Sequence, residues 1–267
     1  MQVALPYWHK DEDVSKLIAD LTWNFPEQQK GTLKIIGGNS TSFSTEVRVA
    51  EYVSKEFPFI KSIQNVFPDI LKNKFPPLIN LEFCESTDSG SFANTPEIRN
   101  SLSEADLGIL LGDLSKNSIT SMAILGLIKS NMNVPLILTR DTVDLVSSAA
   151  NEFIEREGLF IVASLASVQK LFRAVYYPRP IMLSQPILPI IETLHKFTLT
   201  YPTAILTFHE NQIICAYDGK VNTFDISKTS FTPLSIWSGE LVARLAAIYM
   251  FNTSLPLESM LAAAKYK

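Results

Sequence analysis

Cysteine and histidine are scarce in this chain of 267 residues. Its two cysteines, Cys84 and Cys215, lie far apart. That excludes a disulfide framework and a cysteine metal site, and leaves two buried thiols in a reducing compartment as the expected state. His9, His195 and His209 are scattered and form no His-x-x-x-His pair. No zinc site, and no metal ligand of any kind, is expected from them. Basic runs are also missing, and the net charge is −4, which disfavours a nucleic-acid surface. No apolar run reaches the roughly 18 residues that a bilayer span needs. The first ten residues, Met-Gln-Val-Ala-Leu-Pro-Tyr-Trp-His-Lys, lack the apolar core of a signal peptide. The expectation is a cytoplasmic protein with no membrane and no nucleic-acid partner. Internal repeats and low-complexity tracts are absent too.

What is present is apolar residue, 46% of the chain, enough for one large α/β domain or two small ones. Strand and helix patterns alternate. Val14 to Leu21 has helical spacing, with Asp11 and Asp13 favouring its start. Leu33 to Ile36 reads as a strand, Gly37-Gly38-Asn39-Ser40 as a small-residue loop, and Thr45 to Phe57 as an amphipathic helix. That order opens a βαβ unit. Strands follow at 62–67, 78–83, 107–111, 134–138 and 159–163. Helices are predicted at 96–102, 118–130, 143–155, 167–175 and 190–200. Residues 88–95 read as a mobile loop, and 176–189, with four prolines, as a long connection. Residues 204–208, 212–217 and 221–226 read as antiparallel strands, the last two joined by an Asp218-Gly219 turn. His209, at the first of these turns, is expected in solvent.

Continuous apolar strands between helices predict a parallel sheet covered on both faces. Functional side chains then gather at the strand carboxyl ends, where Asn39, Asp113 and Asp141 fall. The Gly-Gly-Asn-Ser loop is either a tight turn or a site for an anion or a hydroxyl-rich ligand. It has neither a Walker nor a dinucleotide spacing. Asp141 is either a helix cap or a ligand contact, and Asp113 reads as a cap or turn residue.

The stretch from Thr232 to Met250 draws the chain together. Ser235 and Ser238 can each cap a helix, Gly239 permits close backbone approach, and Leu241 onward is apolar nearly all round. Free N–H groups and the helix dipole make its start an anion site, with Ser238 and Gly239 as the anion-binding pair. Glu240 stands there as a candidate catalytic base. Arg244, four residues on, is expected to pair with Glu240 or Glu258. Trp237 reads as a packing residue.

The element order resembles the ribokinase-like superfamily, and within it the carbohydrate-kinase-like branch of NAD(P)H-hydrate dehydratases. Four segments carry the resemblance: Lys30 to Ser40, Ala105 to Gly112, Pro135 to Asp141, and Gly239-Glu240-Leu241 through Ser254-Leu255-Pro256-Leu257-Glu258. The resemblance implies a three-layer α/β/α fold. Its sheet is mostly parallel with antiparallel strands at the C-terminal edge, and residues 1–267 make a single domain with 1–29 as an N-terminal helix and lead-in. It implies ATP or ADP with Mg2+ as cofactor, and self-association into a homo-oligomer. It places Glu240 as the catalytic residue, and Gly38, Asn39, Ser40, Gly112, Asp113, Thr139 and Asp141 around a small-molecule ligand.

The departures are as informative. Where the family has Gly-x-Gly-Asp, this chain reads Trp237-Ser238-Gly239-Glu240, so an indole crowds the anion hole and the carboxylate moves by one methylene. The family's Gly-Pro-Gly-Leu-Gly loop is reduced to Gly112-Asp113-Leu114-Ser115. Its His-Pro-Gly-Glu stretch and its Lys-Gly pair are absent near 163–166 and 206–208. The reading is therefore a divergent relative with a degraded nucleotide site and weak or no catalysis, binding a small molecule at the strand carboxyl ends. The alternative is an active ATP- or ADP-dependent dehydratase, or a small-molecule kinase, that uses Glu240 as base.

Overall fold

The computed structural model describes residues 5–75, 80–229 and 238–265. Runs of β-branched and leucine residues make the central strands. β5 (Leu107–Gly112), β6 (Leu136–Thr139) and β7 (Leu159–Val162) are buried at every position. A strand buried on both faces needs cover on both faces, and parallel strands with crossover helices supply it. β2 (Lys30–Gly37), β3 (Ile60–Pro68) and β4 (Leu81–Cys84) run parallel to them. β8 (Thr203–His209) joins β7 in parallel, while β9 (Gln212–Tyr217) and β10 (Lys220–Asp225) are antiparallel. β1 (Trp8–Lys10) closes that edge, parallel to β10. The ten-stranded order is β1-β10-β9-β8-β7-β6-β5-β2-β3-β4.

Two apolar layers flank the sheet. One carries α1 (Ser15–Trp23), α2 (Ser44–Glu56), α8 (Glu240–Met250) and α9 (Pro256–Lys265). Their buried residues meet Leu33, Ile35, Leu111, Ile137 and Phe160 of the sheet. The other carries α3 (Pro96–Asn100), α4 (Ser118–Ser130), α5 (Asp141–Val146), α6 (Leu165–Ala174) and α7 (Ile187–Thr200). These meet Ile36, Leu110, Leu138 and Ile161. Neighbouring residues of one strand thus feed opposite layers, as the two-residue period requires.

Most predicted elements appear within a few residues of their expected bounds; the differences have physical reasons. The lead-in contains a strand: Trp8 Nε1 donates to Thr223 Oγ1 at 3.0 Å and ties β1 to β10. Residues 88–95 are anchored. Phe92 is fully buried, Ser40 N–H donates to the Gly90 carbonyl at 2.8 Å, and Ser115 Oγ donates to the Ser89 carbonyl at 3.0 Å. His209 is buried with Nε2 2.8 Å from the Gln185 carbonyl, because the proline-rich connection folds over it. Both cysteines are buried free thiols, and burial pushes the Cys84 thiol up to about 12. No helix of the described residues is long and apolar enough to cross a membrane. The predicted residues Ser235 and Trp237, and the start of the 78–83 strand, lie outside the described residues.

Candidate functional site

The strand order reverses between β2 and β5, since β3 and β4 lie on one side of that pair and β6 to β10 on the other. Such a reversal leaves a crevice at the strand carboxyl ends. The register between the pair also slips at Ile36/Gly37, a bulge that re-aims the last residues. Gly38, at φ +86°, donates its N–H to the Gly112 carbonyl at 2.9 Å and so joins the two loops. Asn39 is held by the same seam. Its Nδ2 donates to the Asp113 carbonyl at 2.5 Å, and its Oδ1 accepts from Thr41 N–H and Oγ1 and from Ser42 N–H. Ser40 accepts from Lys74 Nζ at its carbonyl, 2.6 Å.

The β5 and β6 ends form a second knot. Gly112 (φ +111°) and Asp113 (φ +54°) turn two successive N–H groups inward, the concave arrangement that binds anions. The anion is the protein's own. Asp141 Oδ1 accepts from Asp113 N–H at 2.9 Å and Oδ2 from Leu114 N–H at 3.2 Å. A side chain on Gly112 would collide with that carboxylate. Arg140, itself at φ +56°, grips the Asp113 carboxylate with both terminal nitrogens, at 2.7 and 3.2 Å. Both side chains are 13% exposed, where a bidentate pair is weakly screened.

The head of α8 abuts this knot. Its N-cap is Gly239, at φ +84° and without a side-chain cap bond, in place of the expected serine. A side chain on Gly239 would strike Val49 Cγ2 of α2, so this glycine serves close helix packing. From Leu241 the helix is buried as predicted. Glu240 is exposed at its first position. Arg244 Nε donates to Tyr52 Oη at 2.6 Å, and among the described residues no ion pair joins it to Glu240 or Glu258. The α2 tyrosine lies nearer the guanidinium.

Beneath the seam lies a residue the sequence reading did not single out. Glu46, in the first turn of α2, is fully buried, and neither carboxyl oxygen has a hydrogen-bond partner from another residue. Burial pushes its carboxyl up to about 8. Its own backbone N–H acts the other way and is outweighed; Asp113 and Asp141 raise it further, and Arg140 lowers it. A methyl group on Gly37 would collide with Glu46 Oε1 and lie 2.7 Å from the Gly112 carbonyl oxygen. Thr139 is equally buried, and its Oγ1 also has no partner. The signal for Glu46 was present: residues 46, 49, 50 and 53 share the helical spacing of the α2 core face.

The structure thus brings Gly38, Asn39, Gly112, Asp113, Thr139 and Asp141 together at the switch point. Ser40 faces the Gly90 turn, and Gly239 abuts α2. A cavity of about 570 Å³ opens elsewhere, between α2 and β3 over Ile63 and Asn65. Another, about 520 Å³, lies at the amino ends of β6 and β7 beside Arg156. Neither touches the seam; the convergent polar groups lie at the strand ends. Among the described residues no group of three or more His, Cys, Asp and Glu is arranged to hold a metal. Asp113 and Asp141 already direct their oxygens at Arg140 and at backbone N–H groups. They do not fit Mg2+ or a nucleotide phosphate as they stand.

No protein-family model and no curated protein sequence matches the chain. Solved structures do match. A ribokinase-like superfamily protein of Enterococcus faecalis aligns over 98% of this chain and 87% of its own, at 12% identity and a TM-score of 0.68. The ADP/ATP-dependent NAD(P)H-hydrate dehydratase of Bacillus subtilis, crystallised with ATP and Mg2+, aligns over 92% and 84%, at 12% identity and a TM-score of 0.58. Pyridoxal kinase of Bacillus subtilis, solved as an ADP complex, aligns over 88% and 89%, at 12% identity and a TM-score of 0.51.

Proposed function

We propose, for a chain that has the ribokinase-like fold, that it binds a small molecule at the carboxyl ends of β2, β5 and β6 and has no nucleotide-driven catalysis there. One observation carries this reading. The inward N–H groups of Asp113 and Leu114, the natural seat of a phosphate after β5, donate to the carboxylate of Asp141 instead. A phosphate would have to displace an internal anion held by two bonds, and would meet Asp113 and Asp141 as like charges. The cation closest to hand, Arg140, already grips Asp113. Phosphoryl transfer needs several free donors around the phosphates, and the two donors of this loop are already engaged by Asp141.

Glu240 stands at a helix start whose dipole favours anions, and that supports the competing reading of an active kinase or dehydratase with Glu240 as base. Titration decides between the two. Wild-type protein is heated with rising ATP or ADP and Mg2+, and no change in melting temperature is expected. A rise of several degrees that grows with nucleotide would overturn the reading, because a ligand of the native state must stabilise it. Asp141→Ala is the companion variant. It vacates both N–H groups, so any phosphate affinity latent in the β5 loop should appear there first.

A further inference from the structure

The two cavities away from the seam differ in what lines them. The smaller is bordered by Arg156, whose terminal nitrogens are taken by the Ile128, Asn131, Met132 and Val134 carbonyls. The larger, about 570 Å³, has a polar group in its floor that no protein group answers. Asn65 stands in the middle of β3, level with Ile35 of β2 and Leu81 of β4. Paired residues of parallel strands share a face, and here that face is apolar: Ile35 belongs to the core under α2, and Ile63 packs against it. Asn65 is 6% exposed, and its Oδ1 has no hydrogen-bond partner. An amide left unanswered costs stability that an apolar side chain of the same size would not. The cavity that Asn65 lines has the volume of a small-molecule site, roughly 300–1,000 Å³. Its floor is buried, at Asn65 and Ile60. Its walls are half-buried, at Val47 and Ala50 of α2 and at Ile63 and Leu81 of the sheet. Its mouth is exposed and carries Lys55, Lys61 and Glu51, two cations against one acid. Lys55 reaches Glu56 at 3.4 Å with its side chain 82% exposed, a pairing that an incoming anion displaces easily.

We propose that this cleft between α2 and β3 is a second binding site, for an amphipathic carboxylate whose far end carries a carboxamide. It is separate from the strand-end site and does not depend on it. Asn65 Oδ1 accepts from the ligand's amide N–H, and Asn65 Nδ2 donates to the ligand's amide oxygen. The apolar walls cover the body of the ligand. Lys55 and Lys61 meet its carboxylate at the mouth, where the excess of positive charge disfavours a cation.

The test uses the full chain and 4-carbamoylbenzoate, a flat ring with an amide at one end and a carboxylate at the other, titrated by ligand-observed NMR. Two controls each lack one end: 4-methylbenzoate and 4-methylbenzamide. Wild-type protein should bind 4-carbamoylbenzoate about tenfold more tightly than either control. Asn65→Leu keeps the volume and removes the unanswered amide, so its melting temperature should hold or rise. It should bind 4-carbamoylbenzoate about tenfold more weakly and 4-methylbenzoate as wild type does. Lys61→Met should weaken both carboxylates about threefold and leave 4-methylbenzamide unchanged, and added salt should do the same to wild type. Absence of binding by wild type, equal affinity for 4-methylbenzoate, undiminished binding by Asn65→Leu, or a lower melting temperature of that variant would each overturn the inference. A second copy of the chain is the other occupant for such a cleft. Sedimentation distinguishes it: a wild-type dimer that Ser54→Arg, at the mouth, takes apart would assign the cleft to the partner copy and overturn the ligand.

Discussion

Asp141 and Glu46 each sit in the first turn of a helix beside the same β5 loop, and they meet opposite surroundings. Asp141 faces two backbone N–H groups that the positive φ angles of Gly112 and Asp113 turn toward it. Glu46 faces the bulged end of β2, with its Oε1 packed against Gly37. Desolvation without such donors drives the Glu46 carboxyl toward its acid. Helix position alone therefore does not set the surroundings of a first-turn acid. The orientation of the loop opposite decides them.

The largest effect that could break this contrast is on stability against pH. The Glu46 carboxyl is raised from 4.5 to about 8 by folding. The folded state then binds the proton more tightly than the unfolded chain. Its contribution is fully present below about 4.5 and is lost as pH rises through about 8. The loss over that window is on the order of 4–5 kcal/mol at 1.36 kcal/mol per pH unit. Urea denaturation across the window should show wild type weakening and Glu46→Gln nearly flat. Parallel curves for the two proteins would mean that Glu46 is charged in the fold, and the contrast with Asp141 would vanish.

A smaller effect sharpens the steric side. Gly37→Ala drives a methyl group against Glu46 Oε1 and the Gly112 carbonyl, and overpacking of this kind costs about 1–3 kcal/mol. Shortening the acid should relieve it. The double variant Gly37→Ala with Glu46→Ala is expected to be more stable than the sum of the single effects by about 1 kcal/mol or more. Strict additivity would show that the Gly112 carbonyl, not the acid, sets the limit at Gly37.

The same contrast explains what the sequence could disclose. The fold was legible because β5, β6 and β7 are apolar at every position and the helices keep their period; the Gly-Gly loop marked the end of β2. Asn39, Asp113 and Asp141 were legible as strand-end residues. Their partners were not, because Arg140 reaches Asp113 across 27 positions through two backbone angles that no residue pattern announces. β1 escaped notice because three residues carry no period, and only β10 gives them a partner. Glu46 was hidden because an acid in a first helical turn satisfies the dipole rule whether it lies on the buried stripe or on the solvent face. Glu240 drew attention for the same dipole reason, and it is the exposed one.

The smallest predicted effect concerns that residue. Glu240 stands at the first position of α8, exposed, with no ion pair to Arg244 among the described residues, and Arg244 Nε turned to Tyr52. Its role in stability reduces to the interaction of a solvated carboxylate with a helix amino end, about 0.3–1 kcal/mol and weaker in salt. Glu240→Gln should therefore lower the denaturation midpoint only slightly at low ionic strength, and the difference should shrink when salt is added. A large loss of stability in Glu240→Gln that salt does not diminish would show instead that this carboxylate is engaged within the fold, as Asp141 is.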